Sequence, residues 1–359
     1  MKIGKYEIKH PIIQGGMGVG ISWDQLAGNV SLEGGLGVIS AVGTGYYKNK
    51  SENIHIVTKK EKPKDVANFY NRESLFEIVA NARKICGDLP LACNILYAIN
   101  DYGRVVRDAC EAGVNIIITG AGIPTNMPEF TKDFPDVALI PIVSSARALK
   151  LICKKWQRYG KLPDAVIVEG PLSGGHQGFT YEQCAQEEYQ LENIITPVIE
   201  EAKEWGNIPI IAAGGVWDKN DIDKFIGLGC VGVQMATRFI GTFECDADAK
   251  FKNVLLNAKA EDIQLMKSPV GLPARGVMTN LQFSIENKTA PKVQCISNCV
   301  APCNRGHEAK IVGYCIADRL GAAYKGDVET GLFFSGSNGY RIEKIISVKE
   351  LMEKLTKGE

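Results

Sequence analysis

Short unbroken apolar runs alternate along this chain with stretches whose apolar positions recur every three or four residues. The runs are Pro11-Ile-Ile-Gln14, Gly37-Val-Ile-Ser40, Leu91-Ala-Cys-Asn-Ile95, Asn115-Ile-Ile-Ile-Thr119 and Ala138-Leu-Ile-Pro-Ile-Val143, then Ala165-Val-Ile-Val-Glu169, Ile208-Pro-Ile-Ile-Ala-Ala213 and Gly232-Val-Gln-Met-Ala-Thr237. A run with no polar alternation is the mark of a strand buried on both faces. Between the runs the spacing predicts helices: Trp23–Leu32, Ser74–Lys84 with Leu75, Ile78 and Val79 on one face, and about 101–111. Ser144-Ser145 offers an N-cap for a helix through Trp156, a further helix spans about 192–205, and Asp218 caps Asn220–Leu228. Eight strands with intervening helices over about 240 residues predict an α/β fold, the (β/α)8 TIM barrel. A doubly wound sheet is the alternative. Against it, glycine or a small polar residue follows nearly every run, which would crowd eight loops around one C-terminal face.

After Phe243 the pattern changes. The expected organisation is a barrel over 1–243, an inserted cysteine-bearing segment over 244–312, and a return to the barrel over 313–359. The return carries a helix from about Tyr314 to Tyr324, a loop Phe334-Ser-Gly-Ser-Asn-Gly-Tyr340, and a capped amphipathic helix from Ser347 to Leu355 with an [ST]-x-x-E start. Residues 46–73 are polar and lysine-rich and read as a long loop over the barrel mouth.

Composition narrows the class. The 359 residues are 45% hydrophobic and 23% charged, with 41 basic and 41 acidic side chains. Zero net charge argues against nucleic-acid or acidic-membrane partners, which would need a basic excess. No apolar run approaches the roughly 18 residues of a membrane span. The N-terminal Met1-Lys-Ile-Gly-Lys-Tyr-Glu7 lacks the apolar core of a signal peptide, and eleven cysteines then suggest a reducing cytoplasm with thiols or metal ligands rather than disulfides.

The candidate chemistry gathers after the sixth run, where Glu169 opens into a loop with Gly170, Gly174, Gly175, His176 and Gly178. Glycine lets the backbone approach a planar ligand, and histidine exchanges protons near neutral pH. The competing reading is a turn with a hydrogen-bonded surface histidine. The tandem Ala212-Ala-Gly-Gly215 and Met235-Ala-Thr237 follows the seventh and eighth runs, the loops that often cradle a phosphate in such barrels. Cys295, Cys299, Cys303 and Cys315 place four thiols within 21 residues, a set that suits an iron–sulfur cluster or, as the lesser alternative, zinc. Core packing of free cysteines is the competing explanation. His307 lies beside them as a further candidate ligand, while His10 and His55 read as surface residues. Lys48, Lys50, Lys59, Lys60, Lys62 and Lys64 read as a solvated face that could also attract an acidic carrier or CoA phosphates, and Ser337 and Asn338 as a lid.

Taken in order, Pro11-Ile-Ile-Gln-Gly-Gly-Met17, Asn94, Thr119-Gly-Ala-Gly122, Glu169 through Gly-Gly-His176-x-Gly178, Ala213-Gly-Gly-Val216 and Gln234-Met-Ala-Thr237 resemble the nitronate monooxygenase (2-nitropropane dioxygenase-like) family. That family also contains flavin-dependent enoyl-ACP reductase II enzymes. The resemblance is close from residue 1 to about 240 and looser over the last 35 or so. It implies an FMN-binding barrel in which Gly15, Gly16 and Met17 lie against the isoalloxazine and Asn94 hydrogen-bonds it. Glu169, Gly174 and Gly175 line the flavin edge, Gly214, Gly215, Ala236 and Thr237 hold the phosphate, and Gln14, Gly120 and Met235 complete the implied cofactor-binding set. His176 is the implied catalytic base or proton donor. The expected activity is oxidation of alkyl nitronates with O2. The alternatives are an NAD(P)H-dependent enoyl-thioester reductase and a non-catalytic flavin or electron-transfer protein. Pro171-Leu172-Ser173 departs from the family's usual step between glutamate and double glycine, which bears on substrate preference. The cysteine spacing resembles, one residue off, the iron–sulfur set of flavin-dependent dienoyl-CoA reductases.

Overall fold

A computed structural model describes residues 1–47, 70–293, 295 and 299–358. Eight parallel strands form the barrel: β1 (Ile12–Gln14), β2 (Gly37–Ser40), β3 (Leu91–Leu96), β4 (Ile116–Gly120), β5 (Ala138–Val143), β6 (Val166–Glu169), β7 (Ile210–Ala213) and β8 (Gly232–Met235). From β2 to β8 each pairs with the next in order, β8 pairs with β1, and a parallel bridge Ile13↔Leu36 closes the ring just ahead of β2. The unbroken apolar runs follow from this closure. Ile13, Val38, Ile116, Ile118, Ile140, Ile167 and Ile211 fill the barrel interior, while Ile12, Ile39, Ile117, Val166, Val168 and Val233 pack outward under the helices. The hairpin Lys2–Ile3/Tyr6–Glu7, which the hydrophobic pattern did not announce, adds Ile3 and Ile8 to the interior cluster.

The outer ring comprises α1 (Asp24–Leu32), α2 (Arg72–Cys86), α3 (Tyr102–Glu111), α4 (Ala146–Trp156), α5 (Leu191–Lys203) and α6 (Lys219–Gly227). Caps fall where the sequence predicts them: Ser145 accepts from the Ala148 N–H at 3.3 Å, and Asp218 from the Asp221 N–H at 3.2 Å. After β8 the chain makes one short turn, Thr237–Ile240, and leaves the barrel. The eighth helical position is filled by α7 (Val348–Lys357), which packs between α1 and α6 and starts at Ser347, whose hydroxyl accepts from the Glu350 N–H at 3.0 Å. Val348, Leu351, Met352 and Leu355 are its buried face. At about 1.5–3 kcal/mol for each large apolar side chain, that face contributes on the order of 6–12 kcal/mol of gross burial.

The excursion from 244 onward is woven onto the barrel mouth. Asp246 accepts from the N–H groups of Trp23, Gln25 and Leu26 at 2.7, 3.1 and 3.2 Å, so a residue of the excursion caps α1 from across the chain. Strands β9 (Ile263–Met266), β10 (Ala274–Val277) and β11 (Phe333–Phe334) form an antiparallel sheet that sequence periodicity did not predict. Its fourth member is the two-residue strand Gly175–His176 from the loop after β6, with His176 opposite Ala274 and Gly175 opposite Arg275. Ile99 forms an antiparallel bridge with Val300, which pins the cysteine-bearing segment to the loop after β3.

Candidate active site

The site grows from strand ends. β6 delivers Glu169 to the rim, where its carboxyl is partly buried and has no hydrogen-bond or ion-pair partner among the described residues. Burial pushes its pKa up to about 7, because the charged form loses more hydration than the neutral one. Seven residues on, His176 is clamped by its strand pairing to Ala274 and by the Gln177 N–H, which donates to Pro273 O at 2.9 Å. The imidazole Nε2 lies 2.8 Å from Ser268 Oγ, and the edge of the ring meets Phe334 at 5.4 Å between centroids. Burial pushes the His176 pKa down to about 4, so the ring is neutral at physiological pH. Nδ1 has no partner among the described residues. The two titratable groups are therefore displaced in opposite directions by the same loss of water.

Glycine contacts knit the loops together. Gly214 and Gly215 both have left-handed backbone, φ 95° and 90°, and a Cβ on Gly214 would stand 2.7 Å from Gly170 O, so only glycine fits there. Gly16 is equally constrained, since a Cβ would come within 2.3 Å of Asn94 Cβ. The loop over 335–339 closes on the same place. Gly336 N–H donates to Thr237 Oγ1 at 2.8 Å, and Asn338 Nδ2 donates to Gly215 O at 2.7 Å. Gly174 lies against Gly336 and Gly215 against Leu172. Gly15, Gly16, Asn94, Glu169, Gly174, Gly175, His176, Gly214, Gly215, Ala236 and Thr237 thus belong to one C-terminal mouth.

The remaining expected residues make the following contacts within the protein. Gln14 spends its amide on the barrel seam: Oε1 accepts from the Val38 N–H at 3.0 Å and Nε2 donates to Gly15 O at 2.5 Å and Val38 O at 3.3 Å. It is fully buried and anchors the following loop. Met17 is half-buried and ties its N–H to Ser22 Oγ at 2.8 Å. Met235 is buried, and its carbonyl accepts the Gly15 N–H at 2.9 Å. Gly120 closes β4, and its carbonyl accepts the Tyr97 N–H at 2.9 Å.

The four cysteines are free thiols, and among the described residues no three His, Cys, Asp or Glu side chains gather as a metal-ligand set. The expected cluster of Cys295, Cys299, Cys303 and Cys315 therefore receives no support from the geometry. The physical reason lies in the local backbone and packing. Cys303 is buried with Val300 and Ala309 in a small apolar cluster, the chain turns through left-handed Asn304 and Arg305 (φ 46° and 52°), and Cys315 is the N-cap residue of the helix Ile316–Tyr324. His307 is largely exposed beside Glu308. Lys48, Lys50, Lys59, Lys60, Lys62, Lys64 and His55 lie outside the described residues, as does most of the expected loop over the mouth.

Three site residues escaped the sequence reading. Ser268 sits in the β9–β10 hairpin with no motif around it. Arg275, on β10, donates Nη2 to Pro171 O at 2.9 Å, and its buried Nε has no partner among the described residues. Gln234 Oε1 is likewise buried without a partner, with the side chain packed beside Gly15. Gln234 stood in a recognisable motif. The other two required knowing that β10 pairs with the histidine strand.

These features agree with comparison to known proteins. The family description "Nitronate monooxygenase" matches residues 1–358. A "Probable nitronate monooxygenase" of Staphylococcus saprophyticus is 28% identical over 291 residues, covering 76% of this chain and 77% of that protein. The "Nitronate monooxygenase" of Pseudomonas aeruginosa is 26% identical over 291 residues, covering 77% and 79%. Among solved structures, FabK from Thermotoga maritima superposes with a TM-score of 0.71 at 27% identity, covering 98% of this chain and 93% of that one. No described helix is long and apolar enough to cross a membrane. With a closed (β/α)8 barrel, a histidine loop at its mouth and a family match from end to end, the chain belongs to the nitronate monooxygenase family and is an oxidoreductase.

Proposed function

We propose that this oxidoreductase holds FMN at the barrel mouth and oxidises alkyl nitronates with O2, with His176 as the proton-exchanging base. The residues present fit a flavin. Gly16 leaves the rim free of side chains against Asn94, the left-handed Gly214 and Gly215 free backbone N–H groups for a phosphate beside Ala236 and Thr237, and the unpartnered Gln234 Oε1 is an acceptor for a ring N–H. Bound there, the flavin would take two electrons from the substrate and pass them to O2.

The carrying observation is His176, a neutral imidazole fixed at the mouth between Ser268 and Phe334 with one ring nitrogen open. At a pKa of about 4 it is a weak base, so abstracting a proton from a neutral nitroalkane is uphill. A nitronate arrives already deprotonated, and its anionic oxygens raise the affinity of the ring for a proton, so that the imidazolium can pair with it. Glu169, about half protonated at neutral pH where a free carboxyl would be ionised, repels that anion less.

The likeness to FabK, an enoyl-ACP reductase, favours a second reading: reduction of an enoyl thioester with NAD(P)H. Anaerobic flavin absorbance of the purified protein separates the two. Bleaching by ethyl nitronate, lost in His176→Ala, is the expected result. Bleaching by NADH or NADPH alone would sink the nitronate reading and leave the enoyl reductase.

A further inference from the structure

We propose that Phe334 is a positioning residue: its ring leans over His176 and keeps the base out of water, and the segment 335–339 behind it holds the ring there. Strand register puts the two rings together. Alternate residues of a strand share a face, and residues directly opposite each other across a ladder share it too. His176 stands opposite Ala274 and Phe334 opposite Gly276, so these four residues lie on one face of the small sheet. β10 runs between the two rings and presents only a methyl group and a hydrogen there. Gly276 has no room for more, since a Cβ would stand 2.4 Å from Phe333 O. The rings therefore meet across the middle strand, at 5.4 Å between centroids and 80° between planes.

The chain is fixed on both sides of Phe334. Phe333 is fully buried and packs on Phe251 at 5.0 Å between centroids. After it, the Ser335 N–H donates to Arg275 O at 3.4 Å and the Gly336 N–H to Thr237 Oγ1 at 2.8 Å. The Ser337 N–H donates to Leu172 O at 3.0 Å and Asn338 Nδ2 to Gly215 O at 2.7 Å. These bonds tie the segment to β10 and to the loops after β6, β7 and β8. Phe334 is itself only half-buried, so the ties decide whether its ring stays on the imidazole or turns into solvent.

Covering an imidazole costs its charged form more hydration than its neutral form, so the ring favours a neutral base. Burial is the cause of the low His176 pKa. The ionisable groups on the surrounding elements are engaged elsewhere. Arg275, opposite Gly175 and so on the other face, donates to Pro171 O, Lys267 is exposed beside Ser268, and the Tyr314 hydroxyl donates to Lys267 O. Glu169 stands at the end of β6, with its own pKa raised by burial. The bearing of the cover on turnover rests on His176 acting as proposed above, but the cover itself does not.

The test uses full-length protein labelled with 15N-histidine, whose four histidine rings are followed by 1H–15N correlation from pH 8 to 5. His176 is identified by the signals missing in His176→Asn. At pH 5 its ring should be about a tenth protonated in the unmodified protein and at least about half protonated in Phe334→Ala. Phe334→Leu, which keeps an apolar branch over Ala274 and Gly276, should stay closer to the unmodified protein. Thr237→Val combined with Asn338→Ala removes two of the ties and leaves both rings in the chain; it should raise the protonated fraction at pH 5 at least about twofold. In a Glu169→Gln background, kcat/KM for ethyl nitronate should fall at least about twofold between pH 7 and 5 in Phe334→Ala, and by only about a tenth without it. A His176 ring no more protonated in Phe334→Ala than in the unmodified protein would overturn the proposal, as would an equal rise in Phe334→Leu or an unchanged double variant. Should Phe334→Ala not fold, the double variant decides. If the spectra behave as expected while ethyl nitronate is not turned over, the substrate reading fails and the cover stands.

Discussion

Lowering the pH from 7 to 5.5 should leave the base of this enzyme almost untouched, although an ordinary histidine would be lost. The perturbation is protonation of His176, whose pKa burial pushes down to about 4. A group titrating near 4 is about 97% neutral at pH 5.5, and one at the free value of 6.5 only about 9%. Any step that needs the neutral ring therefore keeps its rate in this site and would fall about tenfold with an unperturbed histidine. The same displacement fixes a stability slope. Because the folded pKa lies below the unfolded one, the unfolded chain takes up the proton first as pH drops below 6.5. Stability is lost from there until pH passes about 4, on the order of 3 kcal/mol in all and about 1 kcal/mol between pH 7 and 5.5. The assay is kcat/KM with ethyl nitronate across that range in a Glu169→Gln background, which removes the carboxyl that titrates near 7. Denaturant midpoints of that variant, with and without His176→Asn, give the second reading. A tenfold fall in kcat/KM, or equal pH slopes for the two proteins, would refute the reasoning that burial sets this pKa.

Other substitutions probe the frame of the site. Glu169→Gln should remove a stability loss that the unmodified protein shows as pH rises from 4.5 through 7, because the buried carboxyl holds its proton longer than the unfolded one; the full span is roughly 3 kcal/mol, read by denaturation at several pH values. Gly16→Ala puts a methyl 2.3 Å from Asn94 Cβ and should cut flavin content of the purified protein at least about tenfold, with the far-ultraviolet circular dichroism unchanged. Asn338→Ala removes the 2.7 Å bond to Gly215 O, and flavin release by dialysis should speed up several-fold, by about 1 kcal/mol of lost loop closure. Arg275→Met frees Pro171 O, and because that bond stabilises the loop carrying His176, kcat should fall more than KM rises.

The barrel was legible in the sequence, as were the glycine turns at its mouth. Strands buried on both faces cannot carry polar alternation, so Gly37–Ser40 and Ala138–Val143 were delimited to the residue, and the Ser145, Asp218 and Ser347 caps marked their helices through side-chain chemistry that acts within four residues. Glycine was legible for the same local reason: Gly214 and Gly215 need left-handed backbone whatever surrounds them. What the tertiary structure alone decided involves partners far apart in the chain. β9 and β10 are short strands whose only requirement is an edge to pair with, and that edge is Gly175–His176, some 100 residues earlier. Ser268 reaches His176 across 92 positions and Asp246 caps α1 across 223, contacts that no periodicity encodes. The same dependence shows in Gln14, whose amide bonds the Val38 backbone where β1 closes on β2, a contact that its motif did not announce. It also set the surroundings of the cysteines, whose spacing along the chain was suggestive but which, among the described residues, form no metal-ligand group. Local chemistry fixes elements and turns, but the pKa of a histidine depends on what is folded over it.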